Sequence, residues 1–179
     1  MPKPFFNVQN KLEKIIRVNH AGEFGAQKIY LGQLQNIKGK ENQETIQHML
    51  EQEIQHLEYF RSQIELQKVR PTIMIGIWSK IGYYAGMITG ALGVKLSMIL
   101  TESVESVIEK HYKSQLNSLN TLHLKNSELY SKIKIFREEE IEHKDLSLEF
   151  NTEKSLIFSM LSKFIEKSCN VAIFISKNF

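Results

Sequence analysis

Apolar residues recur at steps of three and four in four stretches of the chain, the spacing of helices that each turn one face into a core. The first stripe reads Ile16, His20, Glu23, Gln27, Tyr30, Leu34, and the second reads Ile46, Met49, Glu53, His56, Phe60. The third runs Val94, Met98, Thr101, Glu105, Ile108, Tyr112, and the fourth runs Leu129, Ile133, Phe136, Glu140, His143, Ser147, Phe150. Every stripe carries a carboxylate where a core residue belongs. Short links around Lys38–Glu41, with Gly39, and around Ser118–Asn126 predict two antiparallel hairpins. Pro71 disfavours helix at Arg70 and closes the second stripe. A weak internal repeat follows: Glu23 precedes Glu53 by 30 residues and Glu105 precedes Glu140 by 35, each second Glu being followed three residues on by a His.

Two apolar segments lie outside this pattern. The long link 71–93 opens an apolar run, Ile73 to Leu100, broken by glycines; Lys80 and Lys95 leave 14 uncharged residues between them, fewer than the roughly 20 that span a bilayer. Such a segment lies on a membrane, or packs inside the protein, more readily than it crosses one. Trp78, Tyr83 and Tyr84 beside Lys80 have interfacial character, whereas Gly82, Ala85, Gly86, Gly90 and Ala91 suit close helix packing. The tail, 154–179, reads as an amphipathic helix over Leu156 to Ile175 with an irregular end, carrying Lys154, Lys163, Lys167 and Lys177. Met1 to Asn10 has neither the apolar core of a secretion signal nor an Arg-rich transit pattern, which predicts an unprocessed chain.

Composition narrows the fold. With 179 residues, 42% of them apolar, the chain suits one domain spanning 1–179, and three Pro with nine Gly favour helices over turn-rich sheet. The fold class is all-α, a four-helix bundle with additional apolar and amphipathic helices. A formal charge of +3 is too mild to predict a nucleic-acid partner. The single Cys169 forms no intrachain disulfide, leaving packing or metal to hold the fold.

Four carboxylates on core faces demand an explanation, because an ionised group buried without a partner costs several kcal/mol. Two divalent cations supply it: four negative charges balance four positive ones, and two neutral imidazoles complete the ligand shells. In Glu-x-x-His the two side chains share a helix face and serve one metal, leaving single Glu residues to bridge the pair. Oxygen and imidazole without thiolate favour iron or manganese over structural zinc. The arrangement resembles the ferritin-like di-iron and di-manganese carboxylate proteins, with one Glu from each of two helices and Glu-x-x-His from each of the other two. Phase separates candidates from charged surface: Glu140 and His143 align with Leu129, Ile133, Phe136 and Phe150, whereas Glu138, Glu139 and Glu142 do not and are expected on the solvated face. Glu102 is the alternative to Glu105.

The motifs Arg17-Val-Asn-His-Ala-Gly-Glu23-Phe-Gly-Ala, Gln52-Glu53-Ile-Gln-His56, Val104-Glu105…His111-Tyr112 and Phe136-Arg-Glu-Glu-Glu140-Ile-Glu-His143-Lys-Asp145 resemble the demethoxyubiquinone hydroxylase family of ubiquinone biosynthesis. The likeness runs from about Ile15 to the end, through Val171-Ala-Ile-Phe-Ile-Ser176; Asn19 stands where the family usually has Asp. The resemblance implies a di-iron monooxygenase that uses O2 to hydroxylate the ring of a polyprenyl demethoxyubiquinol. It implies two iron ions on Glu23, Glu53, His56, Glu105, Glu140 and His143, with electrons from NADH or the reduced quinol, and peripheral residence on the cytoplasmic side of a bacterial inner membrane. It also leaves room for a homo-oligomer or a ubiquinone-synthesis complex. No Gly-x-Gly-x-x-Gly is present for a nicotinamide. His111 and Tyr112 become candidate relay groups, and His20 and Asp145 candidate partners of the ligands. A ferritin-like ferroxidase or peroxidase, and a non-catalytic quinone- or lipid-binding helical protein, are the competing classes.

Overall fold

A computed structural model describes residues 4–150 and 155–179, with side chains from Val8 onward; Lys154 lies outside the described residues. The described residues form six helices and no strand: α1 (Pro4–Leu34), α2 (Lys40–Leu66), α3 (Ile75–Leu92), α4 (Val94–Thr121), α5 (Glu128–Glu149) and α6 (Leu156–Asn178). Helices α1, α2, α4 and α5 carry the four predicted stripes. The segment joining the hairpins is itself largely a helix, and α6 runs unbroken to Asn178, so the irregular end expected near Ile175 is absent.

The helix ends follow local chemistry. Ser127 caps α5, its Oγ accepting from the Tyr130 amide at 3.2 Å. After α2 and α4 the chain turns through left-handed Lys68 (φ 52) and His123 (φ 58). The Val69 amide reaches back to the Ile64 carbonyl at 3.0 Å, and the Leu124 amide to that of Leu119 at 2.9 Å, which satisfies carbonyls the helices leave open. Gly93, at φ 114, allows the abrupt passage from α3 to α4.

Two apolar clusters fill the bundle, one around Ile15, Phe60, Tyr112, Leu119, Ile133 and Phe136, the other around Tyr30, Ile37, Ile46, Met49 and Met98. Along each of the four helices the carboxylates fall between the two clusters. The centre of the bundle is therefore a polar layer held between apolar ends, and those ends position it.

Helix α3 packs on α1 at unusually close range. A Cβ at Gly86 would stand 2.0 Å from the Ile29 carbonyl oxygen, and one at Gly32 would stand 2.1 Å from that of Tyr83. Only glycine permits this approach. The opposite face of α3 presents Ile77, Ile81, Tyr84, Ile88 and Leu92 to the outside. Arg17 ties the neighbouring segments together, its Nε donating to the Arg70 carbonyl at 2.7 Å and its guanidinium also reaching the Lys177 carbonyl at 3.5 Å. Trp78 Nε1 donates to Ser176 Oγ at 2.8 Å and joins α3 to α6.

Candidate metal centre

Glu23 comes from α1, Glu53 and His56 from α2, Glu105 from α4, and Glu140 and His143 from α5; all six are at most 1% exposed. Their ligand atoms form two overlapping groups. Glu23, Glu53, His56 and Glu140 make one, Glu53, Glu105, Glu140 and His143 the other, and within each the atoms lie within 4.8 Å of one another. Glu102 is half-buried and belongs to neither group.

The carboxylates common to both groups are Glu53 and Glu140, not the single-Glu residues expected to bridge. Glu140 Oε1 lies 3.3 Å from His56 Nδ1 and its Oε2 lies 3.4 Å from His143 Nδ1. Glu53 spans the same gap, with Oε1 3.4 Å from His143 Nδ1 and Oε2 4.0 Å from His56 Nδ1. Glu23 and Glu105 flank the pair, one in each group. The reason is positional: α2 and α5 each supply two adjoining groups, which brings their carboxylates to the middle.

Eight atoms of these residues are buried without a hydrogen-bond partner: Glu23 Oε2, both oxygens of Glu53 and of Glu140, Glu105 Oε2, and Nδ1 of His56 and His143. Leaving so many polar atoms unpaired in one place is costly for a protein alone. They are the atoms that would coordinate cations, and the oxygen and imidazole set suits iron or manganese. The residues fit two divalent ions.

The electrostatics show the same need. Burial, followed by the charge of Glu140, pushes the Glu53 and Glu105 carboxyls well above the usual range. Burial also opposes charge on Glu140, but the His143 and His56 imidazoles outweigh it and hold that carboxyl low. Two cations would remove the conflict by favouring the charged form of all four.

The remaining bonds of these residues are made sideways. Tyr30 donates to Glu105 Oε1 at 2.6 Å, and Tyr112 donates to Glu23 Oε1. Burial, then the charge of the bonded carboxylate, raises both phenols well above their ordinary value, so both remain donors. His56 Nε2 meets Glu139 Oε2 at 2.6 Å, and His143 Nε2 meets Gln52 Oε1 at 2.7 Å. Glu139, expected on the solvated face, is instead half-buried against His56, whereas Glu138 and Glu142 are exposed. Glu139 lies one residue before Glu140, off the stripe's centre but close enough to reach across to α2.

The other expected partners stand elsewhere. Asp145 is exposed, since two residues beyond His143 the helix has turned it outward. His20 is buried beside Phe24, its Nδ1 unpartnered; burial and then the Arg61 charge lower its pKa. His111 turns away from the centre toward Gln115, Nε2 to Nε2 at 2.7 Å. Burial and the Lys177 charge push His111 down to about 4. Gln115 pairs reciprocally with Asn19, at 2.9 and 2.7 Å, a two-way amide match in which Asn19 both donates and accepts. Tyr30, Gln52 and Glu139 were missed in the sequence, yet two regularities mark them. A Tyr follows each single Glu by seven residues, and Glu139 and Gln52 each directly precede the Glu of a Glu-x-x-His.

A four-helix bundle with buried carboxylates and imidazoles in this order has the architecture of the ferritin-like carboxylate proteins. Residues 10–176 match the family described as "Ubiquinone biosynthesis protein COQ7", and the chain belongs to that family. It is 37% identical over 165 residues to the "NADPH-dependent 3-demethoxyubiquinone 3-hydroxylase, mitochondrial" of Dictyostelium discoideum, covering 92% of this chain and 76% of that protein. The "3-demethoxyubiquinol 3-hydroxylase" of Rhodospirillum rubrum is 34% identical over 167 residues, covering 93% and 77%. The "5-demethoxyubiquinone hydroxylase, mitochondrial" of Saccharomyces cerevisiae is 30% identical over 176, covering 90% and 76%.

Proposed function

We propose that this chain hydroxylates the ring of a polyprenyl demethoxyubiquinol, using O2 and two irons held by Glu23, Glu53, His56, Glu105, Glu140 and His143. The observation that carries this reading is the set of eight unpartnered donor atoms at the bundle centre. The names of the relatives supply the substrate class. Iron, when bound, supplies the change of oxidation state that reduction of O2 needs and that zinc or side chains cannot provide.

The protein's own part is to bind, orient and exclude water. A cavity of about 150 Å³ lies between α1, α3, α4 and α6, walled by Ala26, Val104, Ile108, Trp78 and Ile173 among others. Val104 and Gly22, which also line it, directly adjoin Glu105 and Glu23 in the chain. Burial, then the Glu105 charge, pushes the Cys169 thiol at its edge up to about 11, so the wall stays neutral. An apolar ring and tail suit such a wall. Ile81 both lines the cavity and is exposed, which opens the cavity beside the outward apolar face of α3. Ile157, Met160, Phe164, Val171 and Phe174 give α6 a comparable exposed face.

No described helix is long and apolar enough to cross a membrane. Faces of this kind support peripheral contact with lipid, from which a water-insoluble substrate would be drawn; in this reading the protein rests on the cytoplasmic side of an inner membrane. Electrons come from a nicotinamide nucleotide or from the quinol itself, and omitting the nucleotide separates the two sources. The test is to purify the protein, count iron by elemental analysis and supply a reduced demethoxyquinol with O2. Two irons and a hydroxylated product are expected. Two irons without product would overturn the assignment, and sustained Fe(II) oxidation without any quinol would replace it with a ferroxidase.

A further inference from the structure

Both imidazoles turn Nδ1 toward the centre and Nε2 outward. Each Nε2 meets an oxygen that can only accept, the Glu139 carboxylate at 2.6 Å for His56 and the Gln52 amide carbonyl at 2.7 Å for His143. An accepting oxygen at each Nε2 favours the neutral tautomer with its proton there, the form whose Nδ1 lone pair is free to coordinate once cations neutralise the carboxylates. The contacts cross between helices: Glu139 on α5 serves His56 on α2, and Gln52 on α2 serves His143 on α5. Both partners occupy the same place, one residue before a motif Glu. One is an anion and the other is neutral.

From this difference we infer that Glu139 is a positioning residue that makes the two metal positions unequal, so that the ion beside His56 binds first and more tightly than the ion beside His143. The inference rests on the metal-centre reading given above. A carboxylate draws on the Nε2 proton more strongly than an amide oxygen does and makes the opposite nitrogen the better donor. It also adds charge. Around His56 stand Glu23, Glu53, Glu140 and the outer Glu139, whereas around His143 stand Glu53, Glu105, Glu140 and an uncharged Gln52. The Glu139 side chain is 30% exposed, which keeps its charge partly solvated, whereas His56 itself is 1% exposed and feels that charge across a short bond inside the protein.

The experiment is an anaerobic titration of the metal-free full chain with Mn(II), following free Mn(II) by electron paramagnetic resonance and binding heat by calorimetry. The natural chain should bind in two steps separated by about 10-fold or more, and Glu139→Gln should weaken the tighter step about 10- to 100-fold while leaving the weaker one in place. Gln52→Glu should strengthen the weaker step. In the exchanged variant, Glu139→Gln with Gln52→Glu, the order should reverse. With one equivalent of Zn(II), the imidazole nitrogen resonances should move first for His56 in the natural chain and first for His143 in the exchanged one. A merely structural role for Glu139 would not produce that reversal. Equal steps in the natural chain, unchanged affinities in Glu139→Gln, or equal weakening of both steps would overturn the inference. Failure of the natural chain to bind Mn(II) at all would instead overturn the metal centre on which it rests.

Discussion

The α1–α2 and α4–α5 hairpins present the same groups in the same register. Glu23 is followed by Tyr30 and Glu105 by Tyr112, each Tyr crossing to the other hairpin's Glu. Glu53 with His56 mirrors Glu140 with His143, and each imidazole is held from the opposite hairpin. The likeness ends at the periphery. Helix α3 lies against α1 through glycines that have no counterpart on α4, and α6 meets both α1 and α4 from outside. The apolar cavity is therefore enclosed by the helices that carry the single Glu residues, whereas α2 and α5, which carry the Glu-x-x-His pairs, do not line it. Near-symmetry suits a pair of ions; the asymmetry leaves one apolar side, the one from which a ring would approach in the proposed function.

The largest expected effect tests the symmetry at its centre. Glu140→Ala removes a carboxylate shared by both groups and should abolish turnover and leave fewer than two irons bound per chain. Glu53→Ala should do the same, because it occupies the equivalent place, while Glu138→Ala should change neither quantity. A protein that keeps two irons after either loss would show that the centre does not depend on the carboxylates common to both groups.

Next in size is the asymmetry at α3. A methyl group at Gly86 has no room against the Ile29 carbonyl, so Gly86→Ala should cost about 3 kcal/mol in chemical denaturation as α3 is pushed from α1. Gly76 has nothing within 4 Å of its would-be Cβ, and Gly76→Ala should leave stability unchanged or raise it by about 0.5 kcal/mol through helix propensity. Equal effects would mean that the close approach does not hold α3.

The smallest effect sharpens the comparison. Tyr30→Phe and Tyr112→Phe each remove a buried donor to a carboxylate and should each cost about 2 kcal/mol of folding stability. The two losses should agree to within roughly 0.5 kcal/mol, the scatter expected for equivalent, independent sites. A clear imbalance, measured by denaturant titration of the two variants in parallel, would confine the likeness of the hairpins to geometry.

Much of this was legible in the chain itself. Helical periodicity alone set Glu53, His56, Glu140 and His143 on inward faces, because a 3.6-residue repeat determines which side of a helix is apolar whatever it packs against. The likeness to a known family added Glu23 and decided for Glu105 over Glu102; all six meet at one place. The apolar run around α3 was visible, but which of its faces would be buried was not, since a helix apolar all round leaves that choice to its neighbour, and Gly82, Gly86 and Gly90 turned out to be the inner face.

Only the tertiary structure decided the sideways contacts. Glu139 and Gln52 stand at the edges of their stripes, where phase alone reads as surface. Whether such a residue meets water or an imidazole depends on how near the adjoining helix lies and at what angle. For the same reason His111, placed by its motif near the centre, faces Gln115 instead, and Asp145 faces outward. Sequence determined which side of each helix looks inward, a property of one helix at a time; the partners of those residues are a property of pairs of helices, and only the packed bundle brings pairs into being.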